Sequence, residues 1–73
     1  MKFVREVGTT IYCTQKLDNG KEWQREIKIT GLDGDLVQVD EGKSRSWINA
    51  DRLLQELRHE SVHITKINSP ASN

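Results

Sequence analysis

The sequence predicts a small, mainly β domain of about five antiparallel strands, with one short helix before the last strand. Three observations support this fold class. Glycine-containing turns divide the chain into short runs, the second run alternates apolar and polar residues, and a helical period appears only after residue 48. At 73 residues the chain is one domain, which we place at residues 1–67, followed by a flexible C-terminal tail at residues 68–73.

Four runs between the turns are predicted to form an antiparallel meander, at residues 10–17, 22–30, 36–40 and 44–48. Side chains alternate between the two faces of a strand, so parity assigns the faces of the second run. Its inward face carries Trp23, Arg25, Ile27 and Ile29. Its outward face is wholly polar and carries Glu22, Gln24, Glu26, Lys28 and Thr30. The pattern therefore predicts which side of this strand packs on the core.

The first two turns predict how the strands pair. Residues 19–20 are Asn-Gly, which favours a two-residue type I′ turn. Residues 32–34 are expected to form a three-residue loop, a type I turn with Gly34 in the left-handed conformation of a bulge. The pairs expected from these turns are Tyr12 with Ile27, Lys16 with Trp23, Ile29 with Val37, and Ile27 with Val39.

A helix is predicted at residues 49–59, where Asn49 is a suitable N-cap. Its apolar stripe consists of Leu53, Leu54 and Leu57. Residues 61–67 then alternate again and are rich in β-branched side chains, which predicts the last strand.

Residues 59–63 read H-E-S-V-H and match the zinc-protease signature H-E-x-x-H. A zinc site of this type needs both histidines on one helical face. His59 falls at the predicted helix end and His63 on the last strand, so we expect the two side chains not to converge. No other catalytic motif is present, and we predict a protein that is not an enzyme and uses no metal or cofactor.

The composition restricts the possible binding partners and the cellular location of the protein. Lys and Arg number 11, as do Asp and Glu, so no overall field favours nucleic acid or an anionic membrane. Cys13 is the only cysteine and no signal peptide is evident at the start, which predicts a cytoplasmic protein. In the expected register Cys13 lies opposite Glu26 on the polar face, with a structural or incidental role. No apolar stretch approaches the roughly 20 residues of a membrane span.

Candidate binding residues are the two tryptophans and the basic residues near them: Trp23, Arg25, Lys43, Arg45, Trp47 and Arg52. We expect Trp47 to be mostly buried as a core residue. In the alternative, Ile48 points inward and Trp47 stands outside beside Lys43 and Arg45. Trp23 is expected to be partly buried at the mouth of the domain.

Four meander strands, a short helix and a closing strand follow the order of a small SH3-like barrel. Within that superfold the sequence resembles Tudor/Agenet-type domains, in Val7-Gly8, Asp18-Asn19-Gly20, Ile27-Lys28-Ile29, Leu32-Asp33, Val37-Gln38-Val39, Glu41-Gly42 and residues 49–54. The resemblance implies a barrel in which the first hairpin and the loop between the third and fourth strands hold a methylated lysine or arginine in an aromatic cage. Of such a cage the sequence has Trp23 at the first hairpin and no aromatic residue at positions 41–45.

Two functions are consistent with these features. The first is a small protein-interaction module, an adaptor or inhibitor that docks on a larger protein, in keeping with zero net charge and the lack of a catalytic motif. The second is a nucleic-acid-binding barrel that uses an exposed tryptophan with Lys21, Arg25, Lys43, Arg45 and Arg52. A mobile-element protein acting on a host complex would also fit the small size. The chain would be a monomer or a homodimer, with residues 62–67 or 3–7 as candidate sheet edges.

Overall fold

The structure, a computed structural model, describes residues 3–70. A short 3₁₀ helix (Phe3–Arg5) precedes five strands and one helix: β1 (Thr10–Lys16), β2 (Glu22–Asp33), β3 (Leu36–Asp40), β4 (Arg45–Asn49), α1 (Ala50–Leu57) and β5 (Val62–Asn68). Neighbouring strands are all antiparallel, in the order β4-β3-β2-β1-β5. The predicted fold class, mainly β with a helix before the last strand, is confirmed. In the described part of the chain the sheet stays open and does not close into the expected barrel, because β4 and β5 do not pair.

The core lies between the inner face of the sheet, α1 and the N-terminal 3₁₀ helix. Its buried side chains are Val4, Ile11, Cys13, Ile27, Ile29, Val37, Val39, Ala50, Leu53 and Leu57. Ile27 and Ile29 come from the predicted inward face of β2, and all the polar residues of the opposite face are exposed. The parity prediction for this strand is confirmed. Each fully buried Ile or Leu contributes about 1.5–3 kcal/mol, so these few side chains account for most of the apolar stabilisation.

Helix α1 begins as predicted. The Asn49 side-chain oxygen accepts hydrogen bonds from two backbone N–H groups of the first turn, at 2.9 and 3.3 Å. Such a cap is worth about 1 kcal/mol. The apolar stripe is also confirmed, since Leu53 and Leu57 are buried and Leu54 is half-buried. The helix ends two residues before the predicted end, because the chain tightens and the His59 N–H donates to the Glu56 carbonyl at 3.2 Å.

The predicted pairing of β1 with β2 is wrong by one residue. The Gly20 N–H donates to the Leu17 carbonyl at 3.0 Å, and Gly20 has a φ of 84°, whereas Asn19 lacks the positive φ that a type I′ turn requires. The loop therefore has three residues, and Ile11 rather than Tyr12 pairs with Ile27. A shift of one residue exchanges the two faces of a strand. The observed pairs are Ile11 with Ile27, Cys13 with Arg25, and Lys16 with Glu22.

The predicted pairing of β2 with β3 is also wrong, although both valines of β3 face the core as expected. Strand β2 continues to Asp33, and a two-residue turn follows in which Gly34 has a φ of 59°. Glycine at the first central position is typical of a type II′ hairpin. The bulge lies between Ile29 and Gly31 instead of at the turn, and it brings the valines inward. The observed pairs are Ile29 with Val39 and Leu32 with Val37.

The C-terminal segment remains attached to the domain beyond residue 67. Asn68 is the last residue of β5, one position after the predicted end of the domain. The Ser69 hydroxyl donates to the Glu6 carboxylate at 3.2 Å. Residues 71–73 of the predicted flexible tail lie outside the described residues. The predicted edge at residues 3–7 is not a strand, since Phe3–Arg5 forms the 3₁₀ helix.

Candidate functional site

Arg25 on the inner face of β2 is the centre of a charged cluster. Its side chain is only 12% exposed and contacts two carboxylates. Nε and Nη2 donate to the two oxygens of Glu41 at 2.9 and 3.0 Å, and Nη1 donates to Glu56 at 2.9 Å. Such bidentate, charge-assisted bonds are the stronger class of hydrogen bond in proteins. Arg25 therefore ties β2 to the loop between β3 and β4 and to α1.

Glu41 and Glu56 reach Arg25 from separate parts of the chain. Glu41 begins the β3–β4 loop, where its own N–H donates to the Ser44 carbonyl at 2.9 Å. Glu56 projects from the polar side of α1. Hydrogen bonding to Glu41, opposed by burial and reinforced by Glu56, raises the pKa of Arg25 above its ordinary value. The guanidinium stays charged and is not available as an unpaired cation.

A row of polar side chains continues from Arg25 toward the turn after α1. Arg25 Nη1 also donates to Gln15 at 3.3 Å, and Gln15 donates to the Ser61 hydroxyl at 2.8 Å. That hydroxyl lies 2.8 Å from His59 Nδ1. The row fixes the end of β1 against the segment that leads into β5.

Trp23 borders a groove beside this cluster. The groove has a volume of about 380 Å³ and is lined by Trp23, Gln24, Arg25, Glu41, Ser44 and Glu56. Trp23 is 59% exposed, more than the partial burial expected at the mouth of a barrel. Two carboxylates face one guanidinium, so these paired charges carry one excess negative charge.

Trp47 lies on the opposite face of the sheet. It is 49% exposed, so the expectation of a mostly buried Trp47 is wrong. Trp47 pairs with Gln38, and its neighbour Ile48 pairs with buried Val37 and points inward. The alternation of β4 therefore places Trp47 outward, as in the alternative arrangement.

The ring of Trp47 packs over the neighbouring strands. A Cβ atom at Gly31 would lie 3.0 Å from Trp47 Cη2 and 3.1 Å from Gln38 Cβ. These distances are shorter than ordinary van der Waals contacts, so a side chain at residue 31 would require the Trp47 ring or Gln38 to shift. The Trp47 ring therefore packs next to the bulge that precedes Gly31 in β2.

The six predicted binding residues do not form one surface. Trp23 and Arg25 line the inner groove, while Arg45 and Trp47 lie on the outer face. Arg45 pairs with Asp40 at 3.2 Å. Lys43 is exposed in the β3–β4 loop, and Arg52 is exposed on α1.

The two histidines of the H-E-x-x-H match lie on different elements, as predicted. His59 is in the turn after α1, and His63 is in β5, where it pairs with Thr14. Among residues 3–70, no group of three or more His, Cys, Asp or Glu side chains is arranged to hold a metal ion.

Cys13 is buried in the core, and its predicted place on the polar face is wrong. The three-residue loop turns it inward, opposite Arg25 instead of Glu26. Burial raises the pKa of the Cys13 thiol, an effect that nearby Arg25 opposes and the two glutamates reinforce. Burial and the raised pKa both reduce the reactivity expected of a thiol.

Trp23 and Arg25 were among the binding residues predicted from the sequence, but the carboxylates that contact Arg25 were not. A signal was present, because an arginine at an inward position of a strand requires carboxylates nearby. The sequence offers 11 acidic residues, and only the folded chain selects Glu41 and Glu56.

A function for this chain has to be inferred from its fold and from the geometry described above, because the comparisons with known proteins give no match. No protein-family model, curated protein or solved structure matches the chain. The resemblance to SH3-like and Tudor/Agenet-type domains therefore stays a prediction. Over residues 3–70, no helix is both long and apolar enough to span a membrane.

Proposed function

We propose that this chain is a non-enzymatic protein-interaction module that docks on a larger protein through the groove beside Trp23. The observation that carries the proposal is the exposed Trp23 ring at the border of a groove. The charged side chains that line this groove form ion pairs with one another. Tryptophan is among the residues that most often dominate binding energy at protein interfaces. A ring 59% exposed in the free protein loses water when a partner covers it.

The charges of the groove favour a basic side chain of the partner. Arg25 already donates to Glu41, Glu56 and Gln15, so its charge is met within the domain. Glu56 remains 42% exposed and can accept a further hydrogen bond. A lysine or arginine from the partner would lie against the Trp23 ring and pair with this carboxylate.

The same charges disfavour the binding of nucleic acid, which was the second function considered from the sequence. That function needs Arg25 and Arg45 as cations for phosphate, and both are paired with carboxylates. Lys43 and Arg52 lie on different elements from the exposed Trp47 ring. A phosphate at the groove would meet Glu41 and Glu56, which repel it.

Affinity capture from cells with matched tryptophan variants tests the proposal. Trp23→Ala should lose a partner that the wild-type chain retains. Trp47→Ala removes the other half-exposed tryptophan, on the opposite face, and should retain the same partner. Glu56→Lys should also lose it, because the charge of the groove is reversed. Circular dichroism of each variant separates lost binding from lost folding.

Two results would contradict the proposal. One is a partner that binds wild type and Trp23→Ala equally. The other is oligonucleotide binding that weakens steeply between two salt concentrations, which would instead support the nucleic-acid function.

A further inference from the structure

The two edges of the sheet are protected to different degrees. Strand β5 carries Lys66 and has a register shift against β1, and both features oppose pairing with a further strand. Strand β4 pairs with β3 without a shift and contains neither lysine nor proline. In the described residues β4 has a neighbour on one side only. Its outer edge is therefore the one open to pairing.

The hydrogen bonds between β3 and β4 determine which backbone N–H and C=O groups of β4 point outward on this edge. The Glu41 N–H donates to the Ser44 carbonyl at 2.9 Å, so hydrogen bonds to β3 fall on the even-numbered residues of β4. The N–H and C=O groups of Arg45 and Trp47 point away from β3. The Asn49 N–H points the same way, while its carbonyl belongs to the first turn of α1.

In the described part of the chain, most residues of β4 are exposed. Residues Arg45, Ser46 and Trp47 are exposed. The Trp47 ring leans across Gln38 onto Gly31 and so lies over the sheet, away from its border. The backbone of β4 can therefore be approached by another strand without movement of the ring.

We propose that β4 pairs with β4 of a second copy of this chain, antiparallel, about a two-fold axis at Trp47. Trp47 then stands opposite Trp47 of the second copy, and each N–H donates to the other carbonyl. Arg45 stands opposite Asn49 of the second copy, whose N–H donates to the Arg45 carbonyl. Four backbone bonds form, and the strand is complementary to itself because Trp47 is its central residue.

A second copy fits this edge better than another strand of the same protein. The two-fold register places no like charges directly opposite each other, since Arg45 faces an asparagine and keeps its own Asp40. Pairing β4 with β5 would instead meet Lys66 and the register shift, and it would build rings or open filaments and not a two-fold dimer. Two-fold pairing consumes both β4 edges and leaves only the protected β5 edges outside.

Sedimentation velocity over a concentration series tests the pairing, and wild type should shift toward twice the monomer mass. Trp47→Lys and Trp47→Glu each place like charges across the axis, and each should stay monomeric. An equimolar mixture of the two should associate again, because only the mixed pair brings opposite charges together. Lys66→Glu changes the other edge and should associate as wild type does.

A measurement on the wild-type chain covers the case in which a Trp47 variant fails to fold. Hydrogen exchange of the Trp47 amide, followed by NMR, should slow as the protein concentration rises. Wild type that is monomeric at every concentration, with unchanged Trp47 exchange, would overturn the proposal. So would association that survives Trp47→Lys or is lost in Lys66→Glu. These tests use this chain alone, so their failure leaves the groove beside Trp23 untouched.

Discussion

Arg25 and Glu41 form a two-bond ion pair, Nε to Oε1 at 2.9 Å and Nη2 to Oε2 at 3.0 Å. The pair joins the fourth residue of β2 to the first residue of the β3–β4 loop, sixteen positions along the chain. Glu56 on α1 completes the cluster from the other side. In an open sheet, where β4 and β5 do not pair, this cluster holds the loop and the helix together over the inner face.

Removing the guanidinium should destabilise the domain markedly. Arg25→Ala leaves Glu41 and Glu56 facing each other without a cation in a site where Arg25 is only 12% exposed. We expect a loss of about 2–4 kcal/mol in the free energy of unfolding, measured by urea denaturation. Arg45→Ala breaks the more exposed pair with Asp40 and should cost under about 1 kcal/mol. Equal losses for the two variants would mean that the Arg25 cluster is not structural.

A methyl group at residue 31 should displace Trp47. Gly31 does not have a positive φ, so Gly31→Ala acts through the contacts of the new Cβ, 3.0 Å from Trp47 Cη2. We expect a loss of about 1–3 kcal/mol from this overpacking, with a red shift of Trp47 fluorescence in a Trp23→Phe background. In a Trp47→Ala background the cost of Gly31→Ala should largely disappear. An undiminished cost there would assign the effect to the backbone.

The Cys13 thiol should contribute a pH dependence to stability. Burial raises its pKa in the folded chain above the ordinary value of 9.0, so the folded state retains its proton to higher pH than the unfolded state. This contribution is complete below about pH 9 and is lost as the pH rises through the folded pKa. Urea denaturation from pH 7 to 10 should therefore show a decline at the alkaline end. Cys13→Ala provides the control and should show a smaller decline.

Alkylation of Cys13 gives an independent check of its burial. At pH 8 iodoacetamide should modify the folded chain far more slowly than the chain in urea, because Cys13 is 2% exposed. Equal rates would place the thiol at the surface, as the register inferred from the sequence did.

The course of the strands was predictable where a periodic pattern determines it. In β2, apolar and polar residues alternate over many positions, so Ile27 and Ile29 could be assigned to the core. Asn49 could likewise be assigned as the helix cap because its residue type and position satisfy a local rule. These assignments depend on neighbours in sequence, and the structure confirms them.

Register was not predictable because it depends on loop length to a single residue. Asn19-Gly20 suits two-residue and three-residue loops, and the choice of three turned Cys13 from the outer face into the core. The bulge between Ile29 and Gly31 likewise changes the pairing of β2 with β3, although both valines of β3 face the core as expected. The site depends on these choices too, since Glu41, Glu56 and Gln15 reach Arg25 only through tertiary contacts.

Site-specific photocrosslinking can show whether a partner protein occupies the groove beside Trp23. A photoreactive amino acid would replace Ser44, which lines the groove, or Lys28, which is exposed on the outer face of β2. After irradiation in cells, we expect one discrete crosslinked protein from position 44 that is absent from position 28 and absent when Trp23→Ala is added. A crosslinked protein that appears equally from both positions, or from position 28 alone, would show that the partner does not bind in this groove.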